Sequence, residues 1–368
     1  AHYPAHFMAA VLSADMDSTD KVVTLIDECR VMGIKVKAPA INQCEWPFSA
    51  EGTGAIRYGL GAIKGVGQGA VENIVNERLA HGPYDDLYGF CRRVDAKRVN
   101  RRVIEALVRS GAMDDLAPSR AACMANLGPA IAGAEQHARD RAAGQNDMFG
   151  GSHEAPVTPA CIEPHGEWSD HERLQGEKET LGLYLTGHPV NRYVDELQWL
   201  ASGRLSGLQP DPDRTQRAAG LIVGLRTVNS RRGRMAILTL DDGTARMDAV
   251  VYSDVYQKAQ RHLVKDNLVI VDGIVGVDDF TGGAAMTAED VYDIDAARSR
   301  FARGVLVGLK QGEACAKVLE RLQTLLGPYR NGPARLFIEY QRIDAVAVLP
   351  CSDEWKLAPT DEMLAQLR

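Results

Sequence analysis

The residues with the most chemical content are a cluster of glycines and the arginines that follow it. Gly59, Gly61, Gly65, Gly67 and Gly69 crowd one short stretch, with apolar Leu60, Ile63, Val66, Val71, Ile74 and Val75 among and after them. Glycine permits tight turns and lets main-chain amides approach an anion closely. Where such a turn opens a helix, free N–H groups and the positive end of the helix dipole add to the attraction. Gly65-Val66-Gly67-Gln68-Gly69-Ala70 satisfies the literal G-x-G-x-x-[GA] pattern of dinucleotide folds. The context fails, because a segment containing Gly61 and Lys64 separates the strand-like Ile56–Leu60 run from the first motif glycine. Asp85, at the distance of a ribose-binding acid, follows the turn His81-Gly82-Pro83 rather than a second strand. A nicotinamide- or flavin-dependent oxidoreductase is the minor alternative. The spacing fits better a short helix, a Gly-apolar-Gly hairpin and a second helix, which grips a DNA backbone without reading bases. The plain alternative is a glycine-rich corner between helices with no ligand.

A helix expected over about Val99 to Ser110, stopped by Gly111, carries Arg98, Arg101, Arg102 and Arg109 on one side and Val99, Val103 and Leu107 on the other. Arg92, Arg93 and Lys97 precede it, offset only by Asp95 and Glu105. A basic run is most often a solvated face. Behind a phosphate-binding hairpin it reads instead as more of the same surface. The candidate duplex contacts are therefore Lys64, Gly65, Val66, Gly67, Gln68 and Gly69 with Arg98, Arg101 and Arg102.

Two further groups could bind partners. Gln145-Asn146-Asp147-Met148-Phe149-Gly150 lies in the Gly- and Pro-rich segment 138–170, which reads as a linker. A Met-Phe pair there either docks in a partner's apolar pocket or packs on a neighbouring domain. Further on, the loop Asn229–Arg234 holds Arg231, Arg232 and Arg234, and the loop Asp278–Gly283 offers Phe280 for base stacking. No Walker A, G-x-S-x-G or H-E-x-x-H motif occurs. The acidic pairs Asp114-Asp115, Asp241-Asp242 and Asp278-Asp279 fall at loops or turns, where solvation is expected. His2 and His6 have i, i+4 spacing, but Pro4 lies between them and no third ligand is near. The expectation is no catalytic residue, no metal site and no cofactor in this chain.

The elements that position these groups change character along the chain. Residues 7–32 carry helical periodicity, ended by Gly33, and a helix is expected from about Asp170 to Leu185. From Ala218 the pattern turns to strands: Ala218–Val228, Arg234–Leu240, Met247–Val251, Leu268–Val277 and Ala284–Ile294, with a helix at Ser253–His262 between the third and fourth. That is the order of an OB-fold barrel, used either for single strands at its basic first loop or for protein contacts. The rest reads as a small α+β unit: a strand from Gly304, a helix over Ala314–Leu326, strands Arg335–Tyr340 and Ala345–Leu349, and a helix over Thr360–Leu367.

Length and composition bound these expectations. The chain has 368 residues, 45% hydrophobic and 25% charged, which is globular and too long for one core. A net charge of −7 argues weakly against nucleic acid, yet it averages over unlike parts. Seven cysteines, at positions 29, 44, 91, 123, 161, 315 and 351, share no C-x-x-C spacing, which fits a reducing cytosol and a cytoplasmic protein. The opening Ala1-His2-Tyr3-Pro4 has no initiator Met and no signal-peptide pattern, so a piece of a longer protein is expected.

Taken together, the residues resemble a known family: the C-terminal part of the alpha subunit of bacterial DNA polymerase III, the replicative C-family polymerases. The stretches that carry the resemblance are Ala1–Pro4, Leu60–Gly67, Asn100–Val103, Ser110–Ala112, Gly144–Gly150, Glu179–Pro189 and Ala288–Val291. It spans essentially the whole chain. The resemblance implies a multi-domain α+β protein. Residues 1–58 would end the fingers region, 59–137 would be a helix-hairpin-helix duplex-binding module, and 138–170 a linker with a clamp-binding peptide. Residues 171–217 would be a helical connector, 218–300 the OB-fold domain, and 301–368 the domain that binds the tau subunit of the clamp loader. Gln145, Asp147, Met148 and Phe149 would dock on the sliding clamp, the beta subunit, and Arg231, Arg232, Arg234 and Phe280 would meet template single strand. The implied partners are primed DNA, single-stranded template, clamp and tau. The parent activity would be DNA-directed DNA polymerase, a nucleotidyltransferase using Mg2+, with its catalytic aspartates upstream, so this chain should bind but not polymerise. A stand-alone OB-fold single-strand-binding adaptor is the other alternative.

Overall fold

A computed structural model of the chain describes residues 2–142, 165–230, 233–278, 282–312 and 315–367. It divides into two compact units, Ala1–His188 and Pro189–Arg368.

In the first unit, helices α1 (Pro4–Ala14) and α2 (Thr19–Val31) precede a small sheet of β1 (Lys35–Lys37), β2 (Ser49–Glu51) and β3 (Ala55–Arg57), ordered β1-β3-β2. The helical pattern over 7–32 is thus two helices. Asp15 caps the end of the first and Ser18 precedes the second, so the Asp15–Ser18 segment breaks the run. A single 3-10 turn, Leu60–Ala62, leads into α3 (Gln68–His81). Then follow α4 (Leu87–Arg93), α5 (Arg101–Arg109), α6 (Arg120–Ala142) and α7 (Asp170–Leu181). One buried cluster unites them, with Leu12, Ile26, Ile56, Tyr58, Ile63, Ile74, Phe90 and Leu107 at its centre.

Local signals set the helix ends. Asn100 accepts the N–H of Val103 to start α5, and Ser169 with Glu172 forms a capping box on α7. Helix α7 ends at Leu181 rather than Leu185, because Gly182 turns left-handed (φ 80°) and closes the helix. Helix α6 runs to Ala142, past the position 138 where the linker was expected to start.

The second unit opens with α8 (Val194–Leu200) and then β4 (Asp211–Ser230), β5 (Gly233–Asp241), β6 (Arg246–Val251), α9 (Ser253–Ala259), β7 (Leu268–Val277) and β8 (Ala284–Asp293). The strands pair as β4-β5-β6-β8-β7, and β7 returns to β4, so the barrel is closed and has no free edge. Only β6 and β8 run parallel. This is the expected five-stranded order with its helix between the third and fourth strands. Ala236, Leu238 and Leu240 point inward and Met235, Ile237 and Thr239 outward, the period of two that a half-buried strand needs.

Helix α10 (Ile294–Phe301) leads to β9 (Gly304–Lys310), α11 (Ala316–Leu326), β10 (Arg330–Gln341), β11 (Val346–Pro350), β12 (Lys356–Leu357) and α12 (Asp361–Leu367). Strand β10 is central, pairing β9 in parallel and β11 and β12 antiparallel. Val305, Leu326, Leu336, Leu357 and Met363 form its core. Arg298 of α10, nearly buried, meets Glu196 of α8 through two contacts of 2.7 and 3.1 Å and Asp361 of α12 at 2.7 Å. One cation is thereby shared by three helices. Among the described residues no helix is long and apolar enough to cross a membrane.

Candidate nucleic-acid interface

The glycine-rich segment forms a hairpin whose two faces do different work. Ile63 and Val66 are buried, while Lys64, Gly65, Gly67, Gln68 and Gly69 are exposed. Gly65 has φ +88°, a conformation that side chains resist. A Cβ added at Gly65, Gly67 or Gly69 would meet nothing within 4 Å, so this face is open to an approaching ligand. Gly67 caps α3, its carbonyl accepting the N–H of Ala70 (3.0 Å) and of Val71 (3.2 Å). The amides of Gln68 and Gly69, at the first two helical positions, have no carbonyl one turn back to meet. They stand at the positive end of a 14-residue helix. The first helix expected of the motif is only the 3-10 turn, because Gly59 and Gly61 are held tight against the Trp46–Phe48 segment, where any Cβ would collide.

Within this hairpin the predicted residues separate. Val66 donates its N–H to Ile63 (3.1 Å) and buries its side chain, so it pins the turn rather than touching a ligand. Lys64 turns its N–H inward to the carbonyl of Thr180 (2.8 Å) and leaves only its side chain outside. The Gln68 side chain bonds Glu72 (2.9 Å), so its main-chain amide is the group presented outward.

The arginines also divide. Arg101 and Arg102 occupy the first two positions of α5, where the helix dipole disfavours cations. Arg102 is exposed, and Arg101 is held by Glu105 at 2.8 Å. Arg98 precedes the helix, its Nε 3.8 Å from Asp95. Asp95 donates its N–H to the Asn73 side chain of α3 (2.8 Å), which ties this segment to the second helix of the hairpin. Two other arginines of the basic run have structural partners. Arg93 donates to the carbonyls of Glu77, Gly82 and Pro83 at 2.7 to 2.9 Å and lies 4.3 Å over the Tyr84 ring, sealing the C-terminal end of α3. Arg109 turns to Glu179 of α7 at 2.6 Å. Helical phase placed Arg109 beside Arg98, but Arg98 lies outside the helix, so phase does not relate them.

At the barrel, Arg231, Arg232 and Phe280 lie outside the described residues, as do Gln145, Asp147, Met148 and Phe149. Arg234 is exposed and its guanidinium sits 5.8 Å over the Tyr256 ring of α9. The strand register brings Arg226, Ile237 and Val250 side by side on the outer face, with Val228 beside Met235 in the next row. Tyr252 follows at the end of β6, exposed. This face is apolar with a cationic border.

The Asp241-Asp242 pair is not solvated as expected. Both residues are buried. Asp241 pairs with Arg246 at 2.9 Å. Asp242 accepts the N–H groups of Leu205, Thr244 and Ala245 and the Thr244 hydroxyl (2.6 Å). Burial pushes the Asp242 carboxyl up, but these hydrogen bonds outweigh it and hold the pKa below the ordinary range. The turn needs those amides satisfied, and a buried carboxylate accepts several at once. Asp114 stays about half exposed, as expected at a turn, while it holds the buried Arg120 through contacts of 2.8 and 2.9 Å.

One network had no sequence-based expectation. Glu177 of α7 is fully buried. Its carboxylate accepts the N–H of Leu185 (2.9 Å) and Thr186 (3.0 Å), the Thr186 hydroxyl (2.6 Å) and Arg120 Nη1 (3.0 Å). A Glu in a polar helix reads as solvated. The signal that could have found it is the run Glu179–Pro189, whose distinctive residues have no surface reason to be together. Among the described residues no group of three or more His, Cys, Asp or Glu side chains converges as a metal ion would need.

Comparison with known proteins agrees with this geometry. Residues 33–123 match a helix-hairpin-helix motif family, and residues 217–294 match the OB-fold nucleic acid binding domain family. Residues 321–368 match the C-terminal domain of DNA polymerase III subunit alpha. Over 100% of its length the chain is 44% identical to the DNA polymerase III subunit alpha of Vibrio cholerae. It is likewise 45% identical to that of Escherichia coli K12. The chain belongs to the DNA polymerase III alpha-subunit family, as its C-terminal region. The subunit from Pseudomonas aeruginosa is 42% identical, again over 100% of this chain. The chain spans about a third of these relatives' own length, 32% of the V. cholerae and E. coli subunits and 33% of the P. aeruginosa one. Within the alpha-subunit family the hairpin, the barrel and the C-terminal α+β domain therefore have a common setting, in one polypeptide.

Proposed function

We propose that this region of the alpha subunit holds primed DNA and docks the polymerase to its processivity partners, while nucleotidyl transfer belongs to the remainder of the parent DNA polymerase. The observation that carries the DNA part is the exposed hairpin: open glycines and two unpaired amides at a helix start, with Arg102 exposed at the start of α5, which follows a segment that Asp95 ties to α3. Such a site binds phosphates by position rather than base, with Lys64, Arg98, Arg101 and Arg102 adding charge. Template single strand is assigned to the barrel, along the Arg226 and Arg234 border and the loops that carry Arg231, Arg232 and Phe280.

The Gln145–Phe149 peptide is assigned to the sliding clamp and the α+β domain of residues 301–368 to the tau subunit. The family resemblance supports both assignments. The test is a duplex titration at several salt concentrations. Affinity should fall steeply with salt, with a slope of about −0.9 per phosphate contact. A flat response rules the DNA reading out. Replacing Met148 and Phe149 by Ala should abolish binding to the clamp and leave duplex binding intact. Loss of both together would assign the pair to packing.

A further inference from the structure

The C-terminal end of α7 touches both halves of the proposed duplex grip. Thr180 gives its carbonyl to the Lys64 amide inside the hairpin (2.8 Å), and Leu181 gives its carbonyl to the Tyr58 hydroxyl (3.3 Å) just before it. Burial pushes the Tyr58 hydroxyl pKa far up, so it remains a donor. On the other side Glu179 holds Arg109 of α5, and Arg120 reaches the Arg109 carbonyl at 3.4 Å. Beyond these contacts the chain leaves α7 along one fixed path. Gly182 sets that path with its left-handed turn, and a Cβ there would lie 2.2 Å from Thr19 Cγ2. Glu177 then ties Leu185 and Thr186 back onto α7 and joins them to Arg120, which Asp114 also holds.

We infer that the Glu177-locked segment from Thr180 to Thr186 is a brace that sets the hairpin against the arginine-bearing helix, and that Glu177 is a positioning residue for duplex binding. This rests on the duplex-binding reading of the hairpin. Multiple weak phosphate contacts act together only when the scaffold holds them at the spacing of the backbone, because ordering them at the moment of binding costs entropy. Glu177 touches no ligand. Its carboxylate holds Leu185 and Thr186 at the far end of the segment, and at the near end the Thr180 carbonyl fixes the Lys64 amide and with it the direction in which the hairpin presents its glycines. A Glu177→Gln chain keeps one carbonyl oxygen for the Leu185 and Thr186 amides. Its NH2 would face Arg120 Nη1, a donor against a donor, so the lock opens at that point.

The experiment measures duplex affinity for the wild type, E177Q, K64A and R102A, and for K64A and R102A each combined with E177Q. Circular dichroism confirms that each variant is folded. E177Q should weaken binding by about tenfold. In the E177Q background K64A should cost nothing further, since the hairpin is no longer in place, while R102A should keep its full effect. A purely structural role would leave the K64A effect the same in both backgrounds, and that outcome overturns the inference. Failure of the wild type to bind duplex overturns the duplex reading itself. If E177Q does not fold, T186V removes only the hydroxyl contact and carries the same test, at about threefold. An unchanged K64A effect in T186V, with unchanged affinity, also overturns it.

Discussion

The hairpin in the first unit and the barrel in the second offer nucleic acid two different kinds of surface. The hairpin presents main-chain amides whose directions are set by buried Ile63 and Val66 and by a carbonyl from α7. The barrel presents side chains, Arg226 and Arg234 with Val228 and Ile237, on a closed wall of strands that owes nothing to them. A backbone-made site is as rigid as its core and fails when the core shifts. A side-chain-made site loses contacts one at a time. The arginines show the cost of mixing the two. Arg93, Arg109 and Arg120 are consumed in fixing the first unit, while Arg98 and Arg102 stay exposed.

The largest expected contrast between the units is chemical protection. In the first unit Cys29, Cys44, Cys91 and Cys123 are buried, and burial raises the thiol of Cys29 to about 11 and those of Cys91 and Cys123 to about 12. In the second unit Cys315 is exposed. In a C161S chain, iodoacetamide should modify Cys315 faster than the four buried thiols by on the order of a thousandfold, read by peptide mass spectrometry. Comparable rates would mean that the first unit opens freely and that its rigidity is not what distinguishes it.

Next in size is Gly182→Ala, which combines a strained φ of +80° with a 2.2 Å approach to Thr19. A loss of about 3 kcal/mol is expected in the first unit only. Calorimetry should show its transition moving down while that of the second unit stays. Movement of both would dissolve the comparison.

Asp242→Ala should cost the barrel about 2 kcal/mol, because it leaves the buried amides of Leu205 and Thr244 unpaired. The sign with pH follows from the lowered carboxyl pKa. Its stabilisation is present above the unfolded value near 3.8 and is lost as pH falls through the folded value below it. In acid titration the gap between wild type and variant should therefore be constant above pH 3.8 and narrow progressively as pH falls below it.

The smallest effects separate the two surfaces directly. Arg102→Ala should lower the duplex salt slope by about one, costing on the order of 1 kcal/mol, with single-strand affinity unchanged. Arg234→Ala should do the reverse. Equal effects on both substrates would mean one continuous site rather than two.

How much of this was legible in the sequence depends on the range of the interaction concerned. The barrel was legible because alternation, strand length and the intervening helix are local patterns, and five closed strands are their natural consequence. The hairpin was legible because glycines and apolar positions at those spacings permit few backbones. The Asp241-Asp242 pair misled because its partners, Leu205 among them, lie far along the chain or depend on a turn geometry that spacing does not reveal. Glu177 was not legible for the same reason: its partner Arg120 is 57 residues away.

The sequence by itself determined most of the elements that form and which residues carry charge or conformational freedom, since periodicity and glycine positions act within a few residues, though several element ends fell elsewhere. Only the tertiary structure decided which charges remain available. Arg93 and Arg102 look alike in sequence, yet one is spent on three carbonyls at the end of α3 and the other faces solvent. The reason is physical. Whether a charged group meets water or a buried partner depends on groups brought together from distant parts of the chain, and the cost of leaving such a partner unpaired is set by the packing around it.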